Sequence, residues 1–371
     1  MRWQLIESDD ALRALLERFR GAPAVAVDTE FMRRSTFYPQ VALVQLCFGE
    51  EAWLVDPLQV SDLQALRALL QAPETVKVLH SPSEDLEVFD RWLGVLPEPL
   101  FDTQRAAGLL NLGFGMGYRA LVLACEGVDV PKEETRSDWL QRPLTAAQCE
   151  YAAQDVAHLL PLWHRLAADC ETQGKLAWVL ADGADALAAF RAPGDHGVSR
   201  IKSAWKLDRR ATGRLYALCA WREATARQRD KPRGWIIDDA TCLGLAEKDP
   251  QSHTSLEKLG LLSPGSLRRD GAALLQLLAA QRELPEDALP QRLPQPLDPV
   301  GRKSLQALKQ WSREIAAELG TVPEALLAAR DYELLLRQHR GEALEEPPSW
   351  SGWRHERVIV PLRQRLRERA S

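Results

Sequence analysis

Over the first 180 residues, short apolar runs alternate with segments whose apolar residues recur every three or four positions. ALRALLERFR (11–20) has the spacing of an amphipathic helix, and VAVDTEF (25–31), VALVQLCF (41–48) and AWLVDP (52–57) follow as strand-like runs. LQALRALLQ (63–71) is again helical, KVLH (77–80) is strand-like, SPSEDLEVFDRWLG (81–94) is helical, and CEYAAQDVAHLLPLWHRL (149–166) reads as one long helix. That order predicts an α/β segment around a central mixed sheet. Beyond residue 200 strand patterns almost vanish, leaving helical blocks at 203–282 and 298–371, which are candidates for distant copies of one module. Between them ELPEDALPQRLPQPLDP is too proline-rich to continue a helix, so 283–297 is expected to be a semi-rigid linker. The expected fold class is multi-domain α/β plus all-α, with the α/β domain over 1–190.

Composition narrows the class. With 371 residues, 46% apolar and 27% charged, the chain has the balance of an ordinary globular protein with room for two or three cores, which excludes a disordered chain. No apolar run approaches the ~20 residues of a membrane span, and MRWQLIESDD lacks the basic-then-apolar pattern of a secretory leader. A cytoplasmic, monomeric protein with no membrane partner is expected. The six cysteines, Cys47, Cys125, Cys149, Cys170, Cys219 and Cys242, show no metal-ligand spacing and fit buried free thiols. Net charge is −5, but residues 1–190 carry 16 basic and 28 acidic residues while the remainder carries 31 and 24. The basic excess concentrates in 200–233, with eleven Lys/Arg against three acids, which fits either polyanion binding or a solvated helix face.

Chemistry enters where charge interrupts apolar patterns. In a strand, residues i and i+2 share a face, so Asp28 and Glu30 project side by side at the end of an apolar run. Paired carboxylates raise each other's pKa unless a cation neutralises them. A salt bridge to Arg33 or Arg34 is the alternative. In LHSPSEDLEVF, Ser81 is expected to cap a helix with Pro82 in its first position and Glu84 completing a capping box, which puts Asp85 in the first turn. There the helix dipole alone would favour an acid. His80 reads as a packed strand-end histidine or a site-lining one. In PLTAAQCEYAAQDV, Thr145 and Gln148 form a second capping box, and Tyr151 and Asp155, at i and i+4, share one face.

Taken together and in order, VAVDTEF, SEDLEVF and YAAQD resemble the DEDD superfamily of 3′-to-5′ exonucleases, with Tyr four residues before the last Asp marking its tyrosine subclass. The stretches DTEFMRRSTFYPQVALVQL, FDTQ and RSDWLQRPLTAAQCEYAAQDV extend the likeness to the branch of ribonucleases that trims precursor tRNA. The resemblance implies a ribonuclease H-like fold and two Mg²⁺ or Mn²⁺ ions about 4 Å apart. It implies that Asp28 bridges both ions, Glu30 and Asp155 complete the site of the attacking water, and Asp85 supports the second ion through water. Tyr151 would orient or help deprotonate that water. RNA, especially 3′-extended tRNA precursors, is the implied substrate and nucleoside 5′-monophosphates the products. A DNA-directed exonuclease and a non-catalytic RNA-binding protein on the same fold are the alternatives.

LYALCAWREATARQRDKPRGWIIDDATCLGLAEKDP, LEKLG and LLQLLAA resemble the HRDC module, a helical nucleic-acid-binding unit expected over 203–282. Within it Leu215, Leu218 and Cys219 have core spacing, and Arg214, Arg222, Arg227, Arg229, Lys231 and Arg233 would supply positive charge for RNA. Trp205, Trp221 and Trp235 are candidates for base stacking, with core packing favoured for each. Residues 298–371, through LQALKQWSREIAAELG and PEALLAARDYELLLRQ, resemble a second, more divergent HRDC-like module ending in a basic tail.

Overall fold

The computed structural model describes residues 1–131 and 137–370. Arg136, which opens the RSDWLQ stretch, lies outside the described residues. The chain forms two compact units, one from Met1–Met32, Pro39–Arg191 and Asp298 onward, the other from Arg33–Tyr38 and Ala192–Leu297.

The first unit begins β1 (Arg2–Ile6), α1 (Asp9–Arg18), β2 (Ala24–Met32), β3 (Gln40–Cys47), β4 (Glu51–Val55), α2 (Gln64–Gln71), β5 (Val76–Leu79) and α3 (Ser83–Leu93). It continues β6 (Leu100–Asp102), α4 (Thr103–Leu109), α5 (Tyr118–Glu126), α6 (Ala146–Ala157), α7 (Leu159–Thr172) and α8 (Leu176–Arg191). The strands form one mixed sheet in the order β1-β4-β3-β2-β5-β6, antiparallel at β4/β3 and β3/β2 and parallel elsewhere. β2 is central and buried on both faces at its start. Ala24 and Ala26 face a cluster with Leu121 and Val156, while Val25 and Val27 face Leu66, Leu86 and Phe89. The strand is therefore fixed in the core before its first charge at Asp28.

Two local expectations need correction. The long helix at 149–166 is two helices, α6 and α7, meeting at His158, because Pro161 has no N–H to donate and is tolerated only in a first turn. Ser81 does not cap α3. It adopts φ 55°, its N–H goes to Asp102 Oδ1 (3.0 Å) on β6, and α3 starts at Ser83 after Pro82 with no side-chain cap and no capping box from Glu84. The Thr145–Gln148 capping box is present. At Gly183, a Cβ would stand 2.2 Å from Leu100 O, so only glycine lets α8 lie this close to β6.

The 298–371 segment, which the sequence pattern sets apart, clusters with the α/β part. It holds α14 (Pro299–Leu319), α15 (Pro323–Leu326), α16 (Ala329–His339) and α17 (Val360–Ala370). Lys175 Nζ donates to both Leu109 O and Gly320 O (2.8 Å each), and Val322 N donates to Gly108 O (3.0 Å). Asp182, on α8, accepts hydrogen bonds at Oδ2 from Arg105 (2.5 Å) and Arg354 (2.8 Å), its side chain 2% exposed. Replacing Asp182 by Ala leaves the buried Arg354 only the longer ion pair with Asp185 (3.6 Å), and denaturant unfolding is expected to show a loss of about 3 kcal/mol. An unchanged unfolding free energy would mean that the pair contributes nothing to holding the segment.

The second unit is helical: α9 (Arg209–Arg229), α10 (Arg233–Ile236), α11 (Asp239–Lys248), α12 (His253–Lys258) and α13 (Pro264–Arg282). Leu215, Leu218 and Cys219 sit in its core with Leu245, Leu274 and Leu278. All six cysteines are buried and free. No described helix is long and apolar enough to cross a membrane.

Candidate active site

Asp28 and Glu30 occupy the second half of β2, opposite Gln45 and Leu43 of β3, with a register shift immediately after Glu30. Thr29 points to the opposite face and donates its hydroxyl to Asp85 Oδ1 at 2.5 Å, which ties the first turn of α3 to β2. From α6, Tyr151 leans against Trp139 (ring centroids 5.9 Å) and its hydroxyl bonds the Asp155 carboxylate. Three elements thus bring the four sequence-selected acids and the tyrosine to one place.

The electrostatics show how close that grouping is. Burial raises the Asp28 pKa well above the usual carboxylate range, and the charges of Asp85, Asp155 and Glu30 raise it further. Glu30 is pushed up to about 9 by burial, then by Asp155 and Asp85. Asp155 rises to about 7 and Asp85 to about 6, each chiefly through burial. The Tyr151 phenol is raised by burial and by Asp155, Glu30 and Asp28. Among the described residues no three of these side chains close into a complete ligand cage. The donor set nonetheless suits a hard divalent cation: carboxylate oxygens only, half-buried, each destabilised by its neighbours' charge.

Sequence reading passed over several supporting groups. Tyr118 donates to Gln154 O (2.8 Å) and accepts from His158 N (3.1 Å), bracing the α6–α7 break beside Asp155. Together with Gly117, Arg119, Tyr151 and Asp155 it lines a cleft of about 610 Å³. Strand alternation could have singled out Thr29, whereas nothing local marks Tyr118. His80 is packed: its Nδ1 pairs with Thr103 Oγ1 (2.8 Å), its ring meets Tyr118, and burial lowers its pKa.

The basic residues of the second unit divide differently. Arg214 and Arg222 are not a surface for RNA: both are buried, Arg214 against Ala246 O (2.8 Å) and Asp249 (3.5 Å), Arg222 against Asp239 (2.7 Å). They fall on the core-facing edge of α9, where an arginine must find partners inside. Arg229 pairs with the buried Asp270, and Arg227 and Arg233 share Glu223 and stack on Phe37. Lys231 is exposed. Trp221 packs against the core, but Trp235, for which core packing was expected, is 61% exposed, with Lys231 Nζ 5.9 Å from its ring.

A mixed sheet covered by helices, with acids from β2, α3 and α6 meeting at one end, defines the class: a ribonuclease H-like exonuclease joined to an HRDC unit. A family model for 3′-5′ exonucleases matches residues 3–171 and one for the HRDC domain matches 211–278. Ribonuclease D of Pseudomonas paraeruginosa is 42% identical over 359 residues, spanning 96% of this chain and 95% of that protein. Ribonuclease D of Escherichia coli is 39% identical, with 99% of both chains covered. The crystal structure of E. coli RNase D, an exoribonuclease involved in structured RNA processing, matches with a TM-score of 0.90 at 38% identity over 99% of each chain. The chain belongs to the ribonuclease D family and is a 3′-to-5′ exoribonuclease.

Proposed function

We propose that Asp28, Glu30, Asp85 and Asp155 hold two divalent cations, Mg²⁺ or Mn²⁺. In this reading the chain releases nucleoside 5′-monophosphates from RNA 3′ ends, with 3′-extended tRNA precursors as substrates. The observation that carries the reading is the grouping of four carboxylates, Asp85 buried and the others half-buried, whose charges oppose one another beside a tyrosine hydroxyl. Bound there, the cations would supply charge neutralisation and Lewis acidity at the scissile phosphate. β2, locked in the core, keeps Asp28 and Glu30 still, and Thr29 holds Asp85 in one rotamer. Tyr151 donates to Asp155, leaving its oxygen free to accept from the attacking water and set its line of approach to phosphorus. One chain supplies every group, which supports a monomer, and six buried thiols suit a reducing cytoplasm.

Affinity for RNA has to come from outside the acid cluster, since carboxylates repel phosphate. The exposed Trp235 beside Lys231 supports a stacking contact in the second unit. Trp235→Ala is expected to raise KM for RNA about fivefold or more with kcat unchanged; steady-state kinetics with an unchanged KM would remove Trp235 from the binding surface. The α14–α15–α16 lengths of 21, 4 and 11 residues parallel the 21, 4 and 10 of α9–α10–α11. Asp298 caps the first of these helices as Asp208 caps its counterpart, which supports a second HRDC-like module over 298–371. Degradation of a 3′-extended tRNA alongside the matching DNA strand tests the substrate: the RNA is shortened at least tenfold faster, and equal rates would contradict it.

A further inference from the structure

Gln45, on β3, is 0% exposed, and neither its amide nitrogen nor its amide oxygen has a hydrogen-bond partner among the described residues. A buried amide in that state costs folding free energy that a leucine or methionine of similar size would not. Packing therefore gives no reason for a glutamine here, and its neighbourhood has to supply one. Gln45 stands directly opposite Asp28 in the β2/β3 ladder and opposite Leu54 in the β3/β4 ladder. Opposed residues of an antiparallel pair project on one face with Cβ atoms about 4.5–5.5 Å apart. The Gln45 amide thus lies on the face of the Asp28 carboxylate, the face on which Leu43 and Leu54 pack against Cys149 and Ala152 of α6.

Sealed from solvent, the amide has to find its partner among the side chains around it. On this face of the two ladders, Ala26, Leu43, Cys47, Ala52 and Leu54 carry no side-chain oxygen or nitrogen. Asp56, just past β4, is already taken by Arg142 (2.6 and 2.7 Å). Asp28 remains, directly across the ladder, with Glu30 farther away on the diagonal. The backbone N–H of Thr29 reaches the Asp28 carboxylate, which leaves lone pairs for a second donor. Rotation about the side-chain bonds of Gln45 and Asp28 brings the two groups together without moving either strand.

An amide suits this position better than a cationic side chain. Lys or Arg opposite Asp28 would neutralise its charge and compete with a divalent ion for it. A neutral N–H orients the carboxylate and leaves the charge for the metal, and carboxylates that hold metal ions are generally hydrogen-bonded from behind in this way. We propose that Gln45 is a positioning residue for the reaction: its Nε2–H donates to the Asp28 carboxylate and fixes it as a metal ligand. Gln45 acts through Asp28 alone, touching neither metal nor RNA. The role rests on the reading of the four acids as cation ligands.

Gln45→Met keeps the length of the side chain and removes the donor. Because the amide is unpartnered, the metal-free variant should melt at or above the parent temperature. Mn²⁺ binding to the full-length protein, followed by electron paramagnetic resonance of the free ion at one fixed pH, should be weaker by about tenfold or more. A side chain with a packing role alone would give the reverse, a lower melting temperature and unchanged Mn²⁺ affinity. Leu54→Met, across the other ladder from Gln45 and equally conservative in volume, controls for repacking under α6 and should bind Mn²⁺ as the parent does. A smaller loss of Mn²⁺ affinity in Gln45→Met, a melting temperature below the parent's, or the same loss in Leu54→Met would overturn the proposal. If the parent itself binds no Mn²⁺, the cation reading fails and the role of Gln45 with it. If the parent binds and Gln45→Met binds equally well, only the role of Gln45 fails.

Discussion

Asp28→Asn will lower nucleotide release by at least about 10³-fold and leave the fold intact. Asp28 lies mid-sheet, paired with Gln45, and asparagine has the same shape, so the ladder on both sides of β2 is undisturbed. What changes is charge. Asp28 feels the charges of Asp85, Asp155 and Glu30 together, and in the proposed reading its carboxylate would be one of those that hold the cations, so the variant would lose a negative ligand. The raised Asp28 pKa makes the metal-free parent take up a proton on folding near neutral pH, a cost that asparagine does not carry, so the metal-free variant should melt no lower than the parent, and slightly higher. Nucleotide release by chromatography and thermal unfolding by circular dichroism measure the two effects. Activity within about tenfold of the parent would show that Asp28 is not a ligand.

Removing divalent metal has the second largest expected effect: activity disappears in chelator, and stability becomes strongly pH-dependent. Glu30, Asp155 and Asp85 have folded-state pKa values of about 9, 7 and 6 against ordinary values of 4.5, 3.8 and 3.8. Between about pH 4 and 9 the metal-free native state therefore holds protons that the unfolded chain has released, and stability falls as pH rises through that window. A bound cation favours the ionised acids and reverses the loss. At about 100 times its dissociation constant, one ion contributes roughly 2.7 kcal/mol, or about 3–5 °C in Tm. Scans from pH 5 to 9 with EDTA and with Mg²⁺ should diverge as pH rises; parallel curves would contradict cation binding by these acids.

The candidate site was legible because its charges stand where packing would not place them. VAVDTEF is a core strand until Asp28, and i, i+2 alternation pairs Asp28 with Glu30 without any tertiary information. Helical periodicity joins Tyr151 to Asp155 in the same way. Less legible was what depends on contacts distant in sequence. Ser81 has the text of an N-cap, yet Asp102, 21 residues later, takes its N–H and turns the backbone aside. Arg214 and Arg222 read as surface charge because composition does not say which edge of α9 meets α11. Trp235, apolar by type, was expected inside, but α10 is a single turn and leaves that ring outside. The packing of 298–371 on the α/β part depends on Asp182, Arg105 and Arg354, three charges with nothing in their local sequence to set them apart.

A 3′-extended tRNA labelled at its 5′ end, incubated with the full-length protein, bears on all of this at once. In Mg²⁺ the label should remain on products that shorten stepwise from the 3′ end, with nucleoside 5′-monophosphates released, and neither should appear in EDTA or with Asp155→Asn. Nucleoside 3′-monophosphates, internal fragments, or undiminished shortening by Asp155→Asn would contradict a metal-dependent 3′-to-5′ exoribonuclease built on these four acids.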